Sequence, residues 1–180
     1  LIAPAPWPYR AAVPYLYAIA LGSNRRHGRH GAPAAVIRAA AAALAEEDLR
    51  LVRLSPILAT PALGPAGRAF ANAAALIESR LDPPALLARL KAVERAFGRR
   101  RGRRWGPRVI DLDIILWSGG RWHDRRLAVP HAAFRARDFV LAPLARIVPD
   151  WRDPATGSTV RQLRARLINA KPVDPHRRRF

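Results

Sequence analysis

Two aspartates spaced two residues apart, Asp111 and Asp113, interrupt an otherwise aliphatic run from Val109 to Ile115. Side chains alternate along a strand, so both carboxylates share one face while Ile110, Leu112 and Ile114 fill the other. Their Cα atoms would lie about 6.5–7 Å apart. Aspartate suits strands poorly and two like charges on one face repel, so something cationic must offset the pair. Just upstream lie seven arginines in fourteen residues, at positions 95, 99, 100, 101, 103, 104 and 108. One reading is an exposed acidic pair bridged to those arginines. The other is magnesium, which prefers hard oxygen ligands and takes one or two carboxylates together with phosphates and water. The carboxylates would then hold metal, the metal would hold phosphates, and guanidinium forks would neutralise the outer oxygens.

Several elements must position this segment. Tyr15, Tyr17, Ile19 and Leu21 alternate as a buried strand over 15–21, followed by a polar loop from Gly22-Ser23-Asn24 through the basic residues to His30. Pro33 opens a helix that runs to about Glu47. Residues 49–58 read as one strand, 60–68 as a Pro/Gly loop and 70–78 as another strand. Asp82-Pro83-Pro84 starts a helix with Asp as N-cap; Leu86, Leu87, Leu90, Val93 and Phe97 form its apolar stripe, and Gly98 ends it. Strand 109–117 precedes a short hairpin arm, the loop Val129-Pro130-His131, a helix from about Arg137 to Ile147 and a short one near 160–167. The order β-α-β-β-α-β predicts an α+β fold, a ferredoxin-like α/β sandwich with a mainly antiparallel sheet. Residues 15–168 form its single domain, between a Pro-rich disordered tail over 1–14 and a basic tail over 169–180.

The chain of 180 residues, half of them hydrophobic, is long enough to bury a core without staples. With no cysteine, it has no disulfide framework, thiolate metal site or cysteine nucleophile. Basic residues outnumber acidic ones 32 to 13, a net charge of +19, which by itself suggests nucleic acid or an anionic membrane. Thirty of those 32 are arginine, in a chain that is also rich in alanine, so clustering carries more information than the total. No run of 18 apolar residues is present to span a membrane. Residues 11–22 have the length of a signal-peptide core, but Pro14 breaks the run. A basic ferredoxin-like nucleic-acid-binding module is the alternative reading; it would call for exposed aromatics on neighbouring strands, where strand 109–117 offers carboxylates and aliphatics.

The segment Arg104-Trp105-Gly106-Pro107-Arg108-Val109-Ile110-Asp111-Leu112-Asp113-Ile114-Ile115 resembles the signature of the 6-hydroxymethyl-7,8-dihydropterin pyrophosphokinase family. The resemblance extends in family order over residues 15–167. It includes Tyr17 to Asn24, Thr60 to Pro65, Phe70-Ala71-Asn72-Ala73, Glu94 with Gly98-Arg99, Val129-Pro130-His131 and Arg137-Asp138-Phe139. It implies transfer of a pyrophosphoryl group from ATP to the hydroxymethyl oxygen of a reduced pterin, releasing AMP, on the way to folate. Asp111 and Asp113 would ligate two Mg2+ ions, and Arg99, Arg101 and Arg108 would clamp phosphate oxygens. Arg126, His131 and Arg137 would face the nucleotide, with Glu94 at the ribose. Phe70 and Phe139 would stack on the pterin, Asn72 would bond its amide-like edge, and backbone groups of Thr60 and Leu63 would complete that edge. Phe70 stands where the family often has Tyr, and Ala62 replaces a common proline. His27, His30 and His123 read as surface histidines. The expected partners are ATP and the pterin alone, with no nucleic acid and no membrane, for a monomer working in the cytoplasm.

Overall fold

The computed structural model describes residues 13–45, 49–60, 69–98 and 109–170. Strand β1 (Tyr15–Ser23) lies between β4 (Phe70–Ser79) and β5 (Asp111–Trp117), antiparallel to both. On the far side of β4, β2 (Leu49–Leu54) and the short β3 (Leu58–Thr60) pair end to end with the same strand. The order β2-β4-β1-β5 leaves β5 as an edge strand. Helix α1 (Pro33–Ala43) connects β1 to β2, and α2 (Pro83–Ala96) connects β4 to β5. Each crossover joins two strands that flank a third, which produces two interleaved β-α-β units and the ferredoxin-like sandwich expected from the pattern.

The two faces of the sheet have separate cores. On one, Tyr17, Ile19, Leu21, Ala73, Ala75, Ile77, Leu112 and Ile114 pack against Val36, Ile37 and Leu44 of the α1 segment and Leu86 and Leu90 of α2. On the other, Ala18, Ala74, Ile115 and Leu116 meet Phe134, α3 (Asp138–Ile147) and α4 (Val160–Asn169). Strands β6 (Trp122–His123) and β7 (Ala128–Val129) make the small hairpin arm. Asp82 caps α2 by accepting from Ala85 N–H at 2.9 Å, and Gly98, at φ +79°, supplies the left-handed turn beyond its end. Among the described residues no helix is long and apolar enough to cross a membrane.

Three local differences from the sequence pattern have physical causes. The first helix ends at Ala43 rather than near Glu47, and the residues that follow, Glu46, Glu47 and Asp48, carry charges that the negative end of a helix disfavours. The single strand expected over 49–58 is two strands, because Pro56 has no N–H for the ladder. Ser55 bridges the break: its N–H donates to Ala74 O at 2.8 Å and its Oγ accepts from Ala74 N–H at 2.9 Å. In β5 the register with β1 slips between Ala18 and Ile19, where Ile114 pairs with Ile19 and Leu116 with Ala18. The extra residue places Ile115 and Leu116 in the same core while Ile114 remains in the other.

Ser55→Ala should therefore leave the Ala74 N–H buried without its acceptor and lower the unfolding free energy by about 1–3 kcal/mol. Urea denaturation measures this; a midpoint unchanged from the parent would show that the bridge contributes nothing.

Candidate active site

The alternation that buries Leu112 and Ile114 turns Asp111 and Asp113 to the opposite face, the one that also carries Ile115. Across the sheet Asp111 pairs with Gly22 and Gly22 with Asn72, while Asp113 pairs with Ala20 and Ala20 with Ala74. Two carboxylates on β5 thus face a floor of Gly22, Ala20 and Ala74, with Asn72 on its far side. A Cβ built on Gly22 would come within 3.5 Å of Asn72 Oδ1, so a larger side chain there would fill the space between Asn72 and Asp111.

Phe70 shares the face of Asn72 by the same alternation and is half-buried. Asn72 itself is buried, and its Nδ2 donates to Thr60 Oγ1 at 2.8 Å. That bond fixes the plane of the amide and ties β3 to β4 at Leu58↔Asn72 and Thr60↔Phe70. Helix α3 packs on β4, β1 and β3. Its last residue, Ile147, accepts from Arg53 at 3.2 Å, opposite Leu76. The first turn, with Phe139, is therefore directed toward the Phe70 end. The Arg137 guanidinium lies 5.8 Å from the centre of the Phe139 ring, a cation–π contact.

His131 N–H donates to Ile115 O at 3.1 Å, which fastens its loop to the outer edge of β5. The His131 Nδ1 accepts from Ala133 N–H at 3.2 Å, so the neutral ring carries its proton on Nε2. Burial holds the Asp113 carboxyl above its ordinary range, and the charge of Asp111 adds to this; Lys91 and His131 oppose the shift, while Glu94 reinforces it. Glu94 is completely buried on α2; its Oε1 accepts from Leu112 N–H at 2.9 Å and from Lys91 Nζ at 2.8 Å. Arg126 is exposed on the hairpin, in a turn shaped by Asp124, which accepts from the N–H groups of Arg126 and Leu127.

Asp111, Asp113, Asn72, Phe70, Thr60 and His131 thus come to one end of one sheet face and its β5 edge, and Phe139 and Arg137 open the helix that covers it. Leu63, Arg99, Arg101, Arg108 and Trp105 lie outside the described residues, as do residues 1–12 and 171–180 of the two tails. His27 and His30, read as surface residues, stack on each other at 4.8 Å, and His30 stacks on Phe97 at 4.9 Å. The loop after β1 is thereby docked on the end of α2. An aromatic at the last apolar position of the α2 stripe was the only hint of this in the sequence.

The donor set fits a hard dication. Both aspartates offer carboxylate oxygens from one face, and positive charge would offset the repulsion and burial that hold Asp113 above its ordinary range. Among the described residues no cluster of three or more His, Asp or Glu forms, so phosphate or water oxygens would complete the coordination.

A model of the 7,8-dihydro-6-hydroxymethylpterin-pyrophosphokinase (HPPK) family matches residues 18–149. A 2-amino-4-hydroxy-6-hydroxymethyldihydropteridine pyrophosphokinase of Methylorubrum extorquens is 42% identical over 151 residues, covering 83% of this chain and 91% of that protein. The Pseudomonas aeruginosa enzyme of the same name is 43% identical over 76% of this chain and 82% of its own. The Synechocystis one is 41% identical over 64% of this chain, and the match spans 59% of its length. Among solved structures, Plasmodium falciparum HPPK-DHPS superposes on 87% of this chain with a TM-score of 0.67 at 14% identity; the match takes up 46% of that longer chain.

Since the folded pKa of Asp113 lies above its unfolded value, the native state binds more protons between the two, and stability falls as pH rises through that window. Asp113→Asn should therefore melt at a higher temperature than the parent at pH 7 in chelator. The difference should close as the pH drops below the ordinary carboxylate range. A lower melting point for the variant in chelator at pH 7 would contradict this.

Proposed function

The chain belongs to the 7,8-dihydro-6-hydroxymethylpterin-pyrophosphokinase family, and from that membership we propose that it transfers diphosphate from ATP to 6-hydroxymethyl-7,8-dihydropterin, releasing AMP. The observation that carries the reading is the shared face of Asp111 and Asp113 opposite Asn72, with small residues between them. That layout provides a carboxylate side for a metal–polyphosphate and an amide side for a flat heterocycle.

The reaction is an in-line attack of the hydroxymethyl oxygen on the β-phosphorus. A new O–P bond forms, the bond from the β-phosphorus to the bridging oxygen of the α-phosphate breaks, and the hydroxyl proton leaves to solvent. Such chemistry needs positioning and charge neutralisation more than covalent catalysis. Asn72, held by Thr60, would present its Oδ1 to the donors of the pterin edge, with the backbone of Thr60 and Leu63 alongside. Phe70 and Phe139 would stack on the ring faces, with Arg137 turning from Phe139 toward the nucleotide. Arg99, Arg101 and Arg108 would neutralise phosphate oxygens, and Arg126 and the Nε2–H of His131 would bond the nucleotide. Asp111 and Asp113 would hold Mg2+, two ions in our reading, which when bound neutralises phosphate charge and acidifies the attacking hydroxyl. The protein is further proposed to act as a monomer in the cytoplasm.

The nucleic-acid alternative has little support. By alternation Phe70 is the one aromatic that the described residues of β1, β4 and β5 place on the face of the two aspartates, which α3 and α4 partly cover, and the two carboxylates would repel a phosphate backbone.

Purified protein should form AMP from ATP only when both Mg2+ and the reduced pterin are present, as followed by nucleotide chromatography; no AMP under those conditions rejects the assignment. Asp113→Asn should lower kcat by about a hundredfold or more while the pterin dissociation constant stays within about twofold. Retention of most activity would remove the metal-holding role.

A further inference from the structure

Strand β5 carries both aspartates yet is an edge strand: among the described residues no further strand of the sheet pairs with its outer side. In the antiparallel pair with β1, Asp111 and Asp113 alternate with Leu112. Leu112 turns its N–H and C=O outward, to the free edge. Helix α2 meets them there. Glu94 Oε1 accepts from Leu112 N–H at 2.9 Å, and Lys91 Nζ lies 3.4 Å from Leu112 O and 2.8 Å from the same Glu94 oxygen. The Glu94 side chain has no solvent exposure, whereas Lys91 keeps about a third of its own.

A buried carboxylate is costly without partners, and its partners here include the Lys91 ammonium and the backbone N–H that lies between the two aspartates. A lone helix residue packed on a sheet would be served as well by leucine. A carboxylate at this point instead ties the helix to the strand at a single register. Three residues further along, the His131 N–H takes Ile115 O on the same edge. The stretch of β5 around Asp113 is thus pinned from outside at Leu112 and at Ile115, on the edge that no described strand covers.

We propose that Glu94, supported by Lys91, is a positioning residue. It acts through Leu112 to hold the Asp111 and Asp113 backbone at the spacing needed to share metal, without touching nucleotide or pterin. This rests on the metal-holding role given above to the two aspartates. It differs from a ribose contact in what it demands of the side chain: reach to the Leu112 N–H, and an acceptor oxygen there, with charge secondary.

Two conservative variants separate these demands. Glu94→Asp keeps the charge but withdraws the oxygen from Leu112 by one methylene; Glu94→Gln keeps reach and acceptor and loses the charge. Hydrogen exchange at the Leu112 amide, read by NMR, should accelerate at least tenfold in Glu94→Asp and stay within about threefold of the parent in Glu94→Gln. Mn2+ binding in the presence of a non-hydrolysable ATP analogue, read by electron paramagnetic resonance, should weaken at least tenfold in Glu94→Asp and by less than threefold in Glu94→Gln. Pterin affinity should stay within twofold in both. The proposal is overturned if Glu94→Gln loses metal affinity and Glu94→Asp keeps it, or if Leu112 exchange is the same in all three proteins. It is also overturned if the nucleotide-binding defect of Glu94→Asp disappears with 2′,3′-dideoxy-ATP, since that coupling marks direct ribose contact. Failure of the parent to form AMP would reject the enzymatic reading alone, because the exchange and Mn2+ measurements need no turnover.

Discussion

Like charges on neighbouring same-face positions of a strand repel, and most of what surrounds β5 can be understood as managing the repulsion between Asp111 and Asp113. Burial and the facing charge raise the Asp113 carboxyl above its usual range, so the unloaded protein carries a local instability at neutral pH. Small residues, Gly22 and Ala20, stand opposite the pair and leave space rather than fill it. Two of the described cationic groups near the pair are themselves tied down: Lys91 is engaged by Glu94, and His131 is held by its own backbone and Ala133. A dication suits such a site because it answers both the burial and the like charge that raise the Asp113 carboxyl.

Much of this was legible in the sequence wherever the signal was local. Alternation through Tyr17, Ile19 and Leu21 placed a central strand, the spacing of Leu86 and Leu90 placed the inward face of α2, and Asp-x-Asp marked two carboxylates on one face of β5. What stayed hidden depends on partners distant in the chain. Ser55 reads as a loop serine, and its structural role comes from Ala74, nineteen residues on. Glu94 looks like one more charge on an amphipathic helix until Leu112, eighteen residues away, supplies the reason for its burial. The slip in β5 is masked by Ile114-Ile115-Leu116, since three aliphatics in a row suit either face and give periodicity nothing to register.

The large positive charge also separates into parts. Outside the run at 95–108, many arginines have ordinary structural partners. Arg135 grips the fully buried Asp153 at 2.7 Å, Arg164 meets Asp138 at 3.1 Å, and Arg50 and Arg161 pair with Glu78 and Asp150. The Asp153 carboxyl is held down to about 2, because hydrogen bonds from Arg135, Thr156 and Ala155 together outweigh its burial. Arg53 caps the carbonyl end of α3, and Arg166 bonds Ser158. The exposed pairs among them, Arg50–Glu78 and Arg161–Asp150, contribute little each. These arginines have structural partners within the fold, so they are not in themselves a signal of a polyanion, and the +19 is the excess that remains once every acidic group is offset.

The interleaving of the two β-α-β units has a further consequence, for the order in which the molecule can assemble. Gly22 must find Asn72 on one side and Asp111 on the other, so the floor of the site is made of pairings between remote parts of the chain. Closing such long loops costs entropy before any contact rewards it, and a topology of this contact order folds more slowly than one built from local pairs. During synthesis from the N-terminus, β1, α1, β2 and β4 are complete before β5 has been made. Until then the outer edge of β1 has no strand to pair with, and an unpaired edge is a template for wrong partners. Arrival of β5 closes that edge and brings the acidic face to Thr60, Phe70 and Asn72, which β3 and β4 have already supplied, so the carboxylate side of the site can be completed only after its amide side.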